Sequence, residues 1–257
     1  MSLAAEKAGA AAGAGSPAPA ALVAPQVALQ VAHTLSFAGA SLTLDPSGAL
    51  WLAEARTLVV ADLHLEKASS FARSGSLLPP YDSRATLARL TAVVARLAPA
   101  RIVALGDSFH DRGGPARLGA EEAAALAALA ARHALVWITG NHDPELPEGL
   151  GGRVVADLAI GPLAFCHLPS AGRRPGEVCG HLHPVVSVAG RGRAVRRRCF
   201  ASDGARLVLP AFGALAGGLD LRDAAFADVL ARAATTAYAL GTDRIYPIAL
   251  ARPRGGR

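Results

Sequence analysis

The residues best suited to chemistry begin with Asp62 and His64, which follow the apolar run Leu58-Val59-Val60. Because that run is uncharged and rich in β-branched residues, it predicts a buried strand that ends just before the pair. In open α/β sheets, ligands bind beyond the carboxyl ends of the strands, so a carboxylate and an imidazole there predict the start of a metal site. An Asp-x-His pair is common, however, and a turn carboxylate beside a surface histidine accounts for it more simply when it stands alone.

The same arrangement recurs twice further along the chain. A second apolar run, RIVAL, leads into Asp107, and a third, ALVWIT, leads into Asn141 and His142. Strand and helix patterns in alternation predict parallel strands, whose carboxyl ends meet at one edge of a sheet. We therefore expect these polar groups to lie close together.

The segments around these runs predict the remaining elements. Residues 33–51 alternate apolar and polar side chains around an Asp-Pro-Ser-Gly turn, as a hairpin does. Residues 82–98 and 119–133 carry helical patterns, and a further helix is expected near residues 223–234. Residues 68–81 are rich in turn-forming types, so we expect no regular structure there.

Three more histidines follow where short apolar runs predict β structure. His167 ends one run, and another leads into His181 and His183. If this His-x-His pair lay in a strand, both imidazoles would point to the same side and could reach one metal cluster. Asp203-Gly204 predicts a hairpin turn between two later runs.

A loop after Asp107 carries His110, Asp111 and Arg112 among glycines. Their position near a metal site makes them candidates for substrate binding. A loop held together by its own side-chain hydrogen bonds is the alternative, and both interpretations stay open at this point.

Eight side chains make up the candidate metal site: Asp62, His64, Asp107, Asn141, His142, His167, His181 and His183. Carboxylates, imidazoles and an amide oxygen without thiolates suit Mn, Fe, Zn or Mg better than a structural zinc. Eight groups are too many for one tetrahedral ion. Two ions about 3.5–4 Å apart that share one carboxylate would use seven of them and leave one histidine free.

Length and composition predict a single domain. The chain has 257 residues, of which 52% are hydrophobic, enough for one sizeable core. Residues 1–30 are rich in Ala, Gly and Pro and predict a disordered tail before a domain at residues 31–257. No stretch reaches the roughly 18 uncharged apolar residues of a membrane span, so we expect a soluble protein.

Charge and cysteine usage point to partners and compartment. The net charge is +6, and five arginines lie close together at positions 191, 193, 196, 197 and 198. Such a run is either a solvated strand face or a groove for a phosphate backbone. The cysteines Cys166, Cys179 and Cys199 are odd in number and lack CxxC spacing, which favours a reducing cytoplasm.

The motifs in order resemble the calcineurin-like metallophosphoesterases. They are Asp62-Leu63-His64, Gly106-Asp107, Gly140-Asn141-His142-Asp143, His167 and Gly180-His181-Leu182-His183. One such motif is weak evidence, but five in this order are specific. More narrowly, ADLHLEK, LGDSFHD, GNHD and LPAFG resemble the bacterial ligase-associated DNA-damage-response phosphoesterases, the PdeM family, over residues 33–250. Glu66 departs from that pattern, because glycine is more usual there.

The resemblance implies a fold and a role for each matching residue. The fold would be an αββα sandwich of two mixed β-sheets flanked by helices. Two divalent ions are implied, with Mn²⁺ expected and Fe, Zn or Mg as alternatives. Asp62, His64 and His183 would hold one ion, Asn141, His167 and His181 the other, and Asp107 would bridge them. His142 would protonate the leaving alkoxide, and Asp143 would orient His142.

The implied activity is metal-dependent phosphodiester hydrolysis, in which hydroxide shared by the two ions attacks phosphorus. A DNA-repair endonuclease is the preferred function, with DNA as substrate, ligase and helicase as repair partners, and a cytoplasmic location. One alternative is hydrolysis of nucleotides or other small phosphoesters; another is a non-catalytic scaffold in a repair complex. A protein phosphatase is less favoured, because GDSFHDRG has one residue too many before Asp-Arg-Gly.

Overall fold

The computed structural model describes residues 31–250 apart from residue 191, and the tail predicted at residues 1–30 lies outside the described residues. The first strands are β1 His33–Phe37, β2 Ala40–Leu44, β3 Leu50–Leu52, β4 Thr57–Ala61, β5 Arg101–Leu105, β6 Ala134–Ile138, β7 Arg153–Val155 and β8 Asp157–Ile160. The later strands are β9 Leu163–Cys166, β10 Glu177–Cys179, β11 Pro184–Gly190, β12 Arg193–Ser202, β13 Arg206–Val208, β14 Leu219–Asp220, β15 Thr236–Leu240 and β16 Ile245–Ala249. The α-helices are α1 Lys67–Arg73, α2 Asp82–Leu97, α3 Gly114–Arg117 and α4 Ala120–Arg132.

The first sheet has the strand order β1-β2-β3-β4-β5-β6-β7. Its first four strands are antiparallel neighbours, and β4 to β7 run parallel, as the alternation of strands and helices predicts. The predicted turn at residues 45–48 joins β2 to β3. A further turn at Ala38-Gly39 divides the expected hairpin in two, and Gly39 supplies the left-handed φ of 81° that this turn requires.

The second sheet has the order β14-β11-β12-β13-β10-β9-β8, with β15 paired to β12 and β16 to β15. Strands β9, β10 and β13 are parallel, whereas β11, β12, β15 and β16 are antiparallel. The Asp203-Gly204 turn joins β12 to β13, as predicted. Both sheets are therefore mixed, and the predicted sandwich of two mixed sheets flanked by helices is confirmed.

Apolar side chains fill three layers. Val59, on β4, points into the layer between the sheets and packs near Phe165 and Phe200. Leu58 and Val60 point the other way, toward helices α2 and α4. Strand β4 is apolar on both faces because both faces are buried, which is typical of a central parallel strand. A third layer covers the outer face of the second sheet, where residues 221–230 pack on β12.

Two predicted segments differ from the structure. Residues 67–73 form helix α1 where no regular structure was expected, because the residues that break helices begin only at Gly75. The helix expected at residues 223–234 is replaced by two short 3-10 helices, Ala224–Phe226 and Arg232–Ala234. Side chains from elsewhere in the chain form hydrogen bonds to backbone groups that a continuous helix would bond internally. Arg206 donates to the carbonyl of Val229 (2.8 Å), and Asp203 accepts from the amide of Ala231 (2.9 Å).

Within the part of the chain that is described, no helix is both long and apolar enough to cross a membrane.

Candidate metal centre

The eight side chains of the candidate metal site all lie where strands end. They come from the ends of β4 (Asp62, His64), β5 (Asp107), β6 (Asn141, His142) and β9 (His167), and from the connection between β10 and β11 (His181, His183). Since β4 to β6 belong to one sheet and β9 to β11 to the other, the site is built across the edges of both.

The first group of ligands contains Asp62, His64 and His183. One potential ligand atom from each lies within 4.8 Å of the other two. The Nε2 atoms of His64 and His183 are 3.1 Å apart, and Nε2 of His183 is 3.4 Å from Oδ1 of Asp62. Two imidazole nitrogens so close, beside a carboxylate, are positioned to share one cation.

The second group contains Asp107, His167 and His181. Nε2 of His167 lies 3.3 Å from Oδ2 of Asp107 and 2.9 Å from the amide oxygen of Asn141. The same Oδ2 atom of Asp107 is 3.9 Å from Nε2 of His64, in the first group. Asp107 therefore stands between the two groups, and the assignment of each ligand to one ion stays a prediction.

The His-x-His pair reaches the site differently from the prediction. His181 and His183 lie in a connecting loop with left-handed φ values of 70° and 46°, and not in a strand. Alternation along a strand therefore does not apply, and the two imidazoles diverge, His181 toward Asp107 and His183 toward Asp62. The expectation that both point to the same side is wrong, although both reach the site.

Several residues of the site that are not glycine have a left-handed backbone conformation. Asp62, His64 and Asp107 have φ values of 53°, 43° and 44°. Each such conformation costs on the order of 1–3 kcal/mol and persists only where surrounding contacts hold it. Backbone hydrogen bonds supply that hold: His64 donates to the carbonyl of Asp107 (2.9 Å), and Gly213 donates to the carbonyl of Asp62 (3.0 Å).

Glu66 also has a left-handed φ, of 62°, which gives a physical reason for the glycine that the PdeM family more often has there. Two serines compensate in this chain. The hydroxyls of Ser69 and Ser83 donate to the two carboxylate oxygens of Glu66 at 2.7 and 2.8 Å. The departure from the family pattern is thus accommodated beside the ligands without displacing them.

The glycines of two motifs leave room for ligand side chains. A Cβ atom at Gly106 would overlap the imidazole of His167, and one at Gly140 would overlap the carboxylate of Asp107. The Gly-Asp and Gly-Asn sequences are thus required by close approach at the site.

The charges at the site suit metal binding. Burial, followed by the neighbouring His183, lowers the pKa of His64 to about 3, so its imidazole is neutral, the form that binds metals. Burial opposes ionisation of Asp107, but the hydrogen bond from His167 and further neighbours prevail and lower its pKa to about 2. The buried Nδ1 atom of His64 has no hydrogen-bond partner among the described residues. The neutral imidazole of His64 and the ionised carboxylate of Asp107 are the forms in which these two groups bind divalent cations.

His142 and Asp143 have different surroundings. Nδ1 of His142 lies 2.7 Å from the carbonyl oxygen of His110, and its Nε2 is 3.9 Å from Oδ2 of Asp107. Asp143 is fully buried and accepts hydrogen bonds from the amides of Phe109 (3.0 Å) and Gly140 (3.1 Å). The carbonyl of His110 therefore orients His142, and the role predicted for Asp143 is corrected: it holds the two loops together.

The three candidate substrate-binding residues separate in the structure. The ring of His110 lies at the site, with its centroid 5.1 Å from that of His142. Asp111 instead pairs with Arg117 (2.8 Å) and accepts from the amide of Gly113, so for this residue the loop-holding alternative applies. Arg112 is exposed and lines a groove beside α3 and α4, apart from the metal ligands.

Two residues of α1 at the site were missed by the sequence analysis. Phe71 stacks on His110, with centroids 5.6 Å apart, and Lys67 lies over the Phe71 ring at 5.9 Å. Lys67 was noticeable in the sequence, because Lys7 is the only other lysine in an arginine-rich chain. Its position after the Asp-x-His motif was the signal available.

Comparison with known proteins identifies the class. The profile of the calcineurin-like phosphoesterase family matches residues 55–201, and the chain belongs to that family. It is a metal-dependent hydrolase of phosphoesters. The expectation drawn from the five motifs is confirmed.

Two solved structures are similar to this chain. The nuclease MPE of Pseudomonas putida has a TM-score of 0.66 and 26% sequence identity, over 85% of this chain and all of the nuclease chain. YfcE, a phosphoesterase from E. coli, has a TM-score of 0.40 and 17% identity, over 76% of this chain and 98% of its own. No curated protein sequence gives a significant match.

Proposed function

We propose that this protein is a dinuclear nuclease that hydrolyses phosphodiester bonds in DNA during repair, with Mn²⁺ as the expected metal. The observation that carries the proposal is the pair of ligand groups joined at Asp107, with His142 beside them. The similarity to the Pseudomonas nuclease supports a polynucleotide as substrate. A repair role would place the protein in the cytoplasm with a ligase and a helicase as partners.

The residues of the chain would divide the work as follows. Asp62, His64 and His183 would hold one ion, and Asn141, His167 and His181 the other, with Asp107 shared. Two bound divalent ions supply an activated water and neutralise charge on the phosphoryl oxygens. As an imidazolium, His142 would give the proton on Nε2 to the leaving oxygen, while its Nδ1 hydrogen stays bonded to the carbonyl of His110.

A cationic hairpin beside the site supports a polyanionic substrate. Strand β11 starts at Pro184, directly after His183, and pairs with β12, which carries Arg196, Arg197 and Arg198. Among the described residues, none of these three arginines has a carboxylate within ion-pair distance. Arg196 and Arg197 are exposed and available to bind a phosphate backbone, whereas Arg198 is half-buried and donates to the carbonyl of Ala211 (2.9 Å).

The deciding experiment compares substrates and one variant. Metal-stripped protein is re-loaded with Mn²⁺ and assayed on bis-p-nitrophenyl phosphate, on p-nitrophenyl phosphate and on labelled single-stranded DNA. We expect hydrolysis of the diester and of DNA. Asp107→Asn should abolish both and lower the bound metal from two ions per chain, because the shared carboxylate is weakened as a ligand.

Each other outcome selects an alternative. Monoester hydrolysis without DNA cleavage would contradict the nuclease and favour a phosphohydrolase of nucleotides or other small phosphoesters. Two bound ions with no activity on any of the three substrates would favour a non-catalytic scaffold in a repair complex. Unchanged metal content in Asp107→Asn would contradict the shared-ligand assignment.

A further inference from the structure

Helix α1 lies beside the metal centre and is held by few buried side chains. Ala68 is its only buried residue, so the helix is not fixed by a packed apolar face. Phe71 is 36% exposed. The ring of Phe71 is therefore partly open to solvent at the rim of the site.

A series of stacked rings connects Phe71 to His142, the candidate proton donor. Phe71 stacks on His110 at 5.6 Å and 19°, and His110 stacks on His142 at 5.1 Å and 25°. The T-shaped contact of His142 with His64, at 5.1 Å, connects this series of rings to a metal ligand. The series therefore runs from the surface to the side of the centre where the leaving group would depart.

The ammonium group of Lys67 lies beside this series of rings. Lys67 precedes Phe71 by one helical turn, and its ammonium lies 5.9 Å from the ring centroid. Among the described residues, its side chain forms neither an ion pair nor a hydrogen bond within the usual distances. Because the Phe71 ring that it faces stacks on His110, the ammonium lies at the rim of the centre. Burial lowers the pKa of Lys67, and the charge of Asp82, which lies beyond ion-pair distance, opposes that shift.

We propose that Lys67 and Phe71 form the subsite for the nucleotide on the leaving-group side of the scissile phosphate. The base stacks on the face of the Phe71 ring opposite His110, and the ammonium of Lys67 binds the adjoining backbone phosphate. This inference rests on the proposed nuclease function and adds a strand preference to it. A base can reach an aromatic side chain only when it is unpaired, so the subsite favours single-stranded nucleic acid.

The test is a double-mutant cycle between the ring and the bases. Mn²⁺-loaded wild type and Phe71→Leu are compared on a single-stranded oligonucleotide and on a fully abasic strand of equal length. For the wild type, kcat/KM should fall about tenfold or more on the abasic strand, given the usual strength of base–aromatic stacking. For Phe71→Leu, kcat/KM should be low on both strands and nearly equal. Tyr246→Leu, which removes an exposed ring from β16, should keep the wild-type ratio.

Two further readouts separate stacking from general damage. An oligonucleotide containing 2-aminopurine should lose fluorescence on stopped-flow mixing with the wild type, before cleavage, and should not with Phe71→Leu. Lys67→Gln should reduce the slope of log kcat/KM against log salt by about 0.7, the value for one phosphate contact to a single strand, whereas Arg153→Gln, on β7, should not. Thermal midpoints and bound Mn²⁺ are measured for every variant.

The outcomes distinguish this subsite from the nuclease itself. If the wild type hydrolyses bis-p-nitrophenyl phosphate but neither binds nor cleaves DNA, the proposed function fails. If it cleaves normal and abasic strands equally well, or if Phe71→Leu keeps the wild-type ratio, the subsite is overturned while the nuclease stands.

Discussion

The imidazole of His142 combines a contact with a backbone carbonyl and an exposure that the rings of His64 and His167 lack. A carbonyl oxygen can only accept a hydrogen bond, so the contact with the carbonyl of His110 places the hydrogen of the neutral ring on Nδ1. Nε2 then faces the centre, and it carries a hydrogen to donate when the ring is the doubly protonated imidazolium. The side chain is 38% exposed, whereas those of His64 and His167 are each 3% exposed. A ring that substrate can reach and that is held by a backbone group is suited to proton transfer.

This environment predicts the behaviour of His142→Ala. The variant should still bind two metal ions, because the two ligand groups remain complete without this side chain. Cleavage of DNA, whose leaving alkoxide needs a proton, should slow by about 10²–10⁴-fold, the range for a general acid. Hydrolysis of bis-p-nitrophenyl phosphate, with its good leaving group, should slow far less. Steady-state rates on both substrates and metal analysis would check this, and loss of bound metal would show that His142 is a ligand.

At the scale of elements, the segment after β13 holds the end of β4 in place. It carries the LPAFG sequence at residues 209–213. The amide of Leu209 donates to the carbonyl of Cys179 (2.8 Å), and that of Phe212 donates to the carbonyl of Ala61 (2.8 Å). The segment thus connects a strand end of the second sheet to one of the first. Asp62, which follows β4, is positioned by a neighbour that is distant in sequence.

A pair of glycine variants tests this role. A Cβ atom at Gly213 would overlap the carbonyl oxygen of Leu63 and lie 3.1 Å from that of Asp62, whereas one at Gly217 would meet nothing within 4 Å. Gly213→Ala should lower the free energy of unfolding by about 1–3 kcal/mol, as overpacking does, and weaken metal binding by about 10–100-fold. Gly217→Ala is the matched control and should match wild type. Denaturant unfolding and metal titration would measure both effects, and equal behaviour of the two variants would contradict the role.

At the scale of the whole molecule, the layer on the outer face of the second sheet encloses two of the three thiols and partly covers the third. Cys179 and Cys199 are fully buried in the layer behind the second sheet, and all three cysteines are free. Burial, followed by the nearby Glu177, raises the pKa of Cys166 to about 11 from 9.0. Because the folded state favours the protonated thiol, this contribution to stability is complete below pH 9 and is lost as the pH rises through 11.

The enclosed thiols predict a difference in labelling between folded and unfolded protein. Because the pKa of Cys166 is about two units higher in the folded protein, it carries about a hundredfold less thiolate at pH 8 than an unfolded cysteine does. The thiolate is the reactive form. Native protein should therefore react with a disulfide reagent at least about a hundredfold more slowly than denatured protein, in which all three cysteines should react. Time courses at pH 8 with and without denaturant would measure the ratio. A native cysteine that reacts at the denatured rate would contradict the enclosed interior.

The sequence by itself determined the strands and the ends at which their polar groups emerge. Uncharged β-branched runs specify buried strands locally, and alternation with helices makes neighbouring strands parallel, so Asp62, Asp107 and Asn141 had to meet at one edge. The αββα sandwich came from the family resemblance, and the structure agrees with it. The single domain over residues 31–257 stays a prediction.

Only the tertiary structure decided how individual groups are used. Side chains on loops point where the backbone torsions send them, and hydrogen bonds from distant segments set those torsions. For this reason His181 and His183 diverge to separate groups, and Asp143 binds two loops and not His142. The helix predicted at residues 223–234 does not form for the same reason. Arg206 and Asp203 form hydrogen bonds to the backbone of this segment, and the local sequence gives no sign of them.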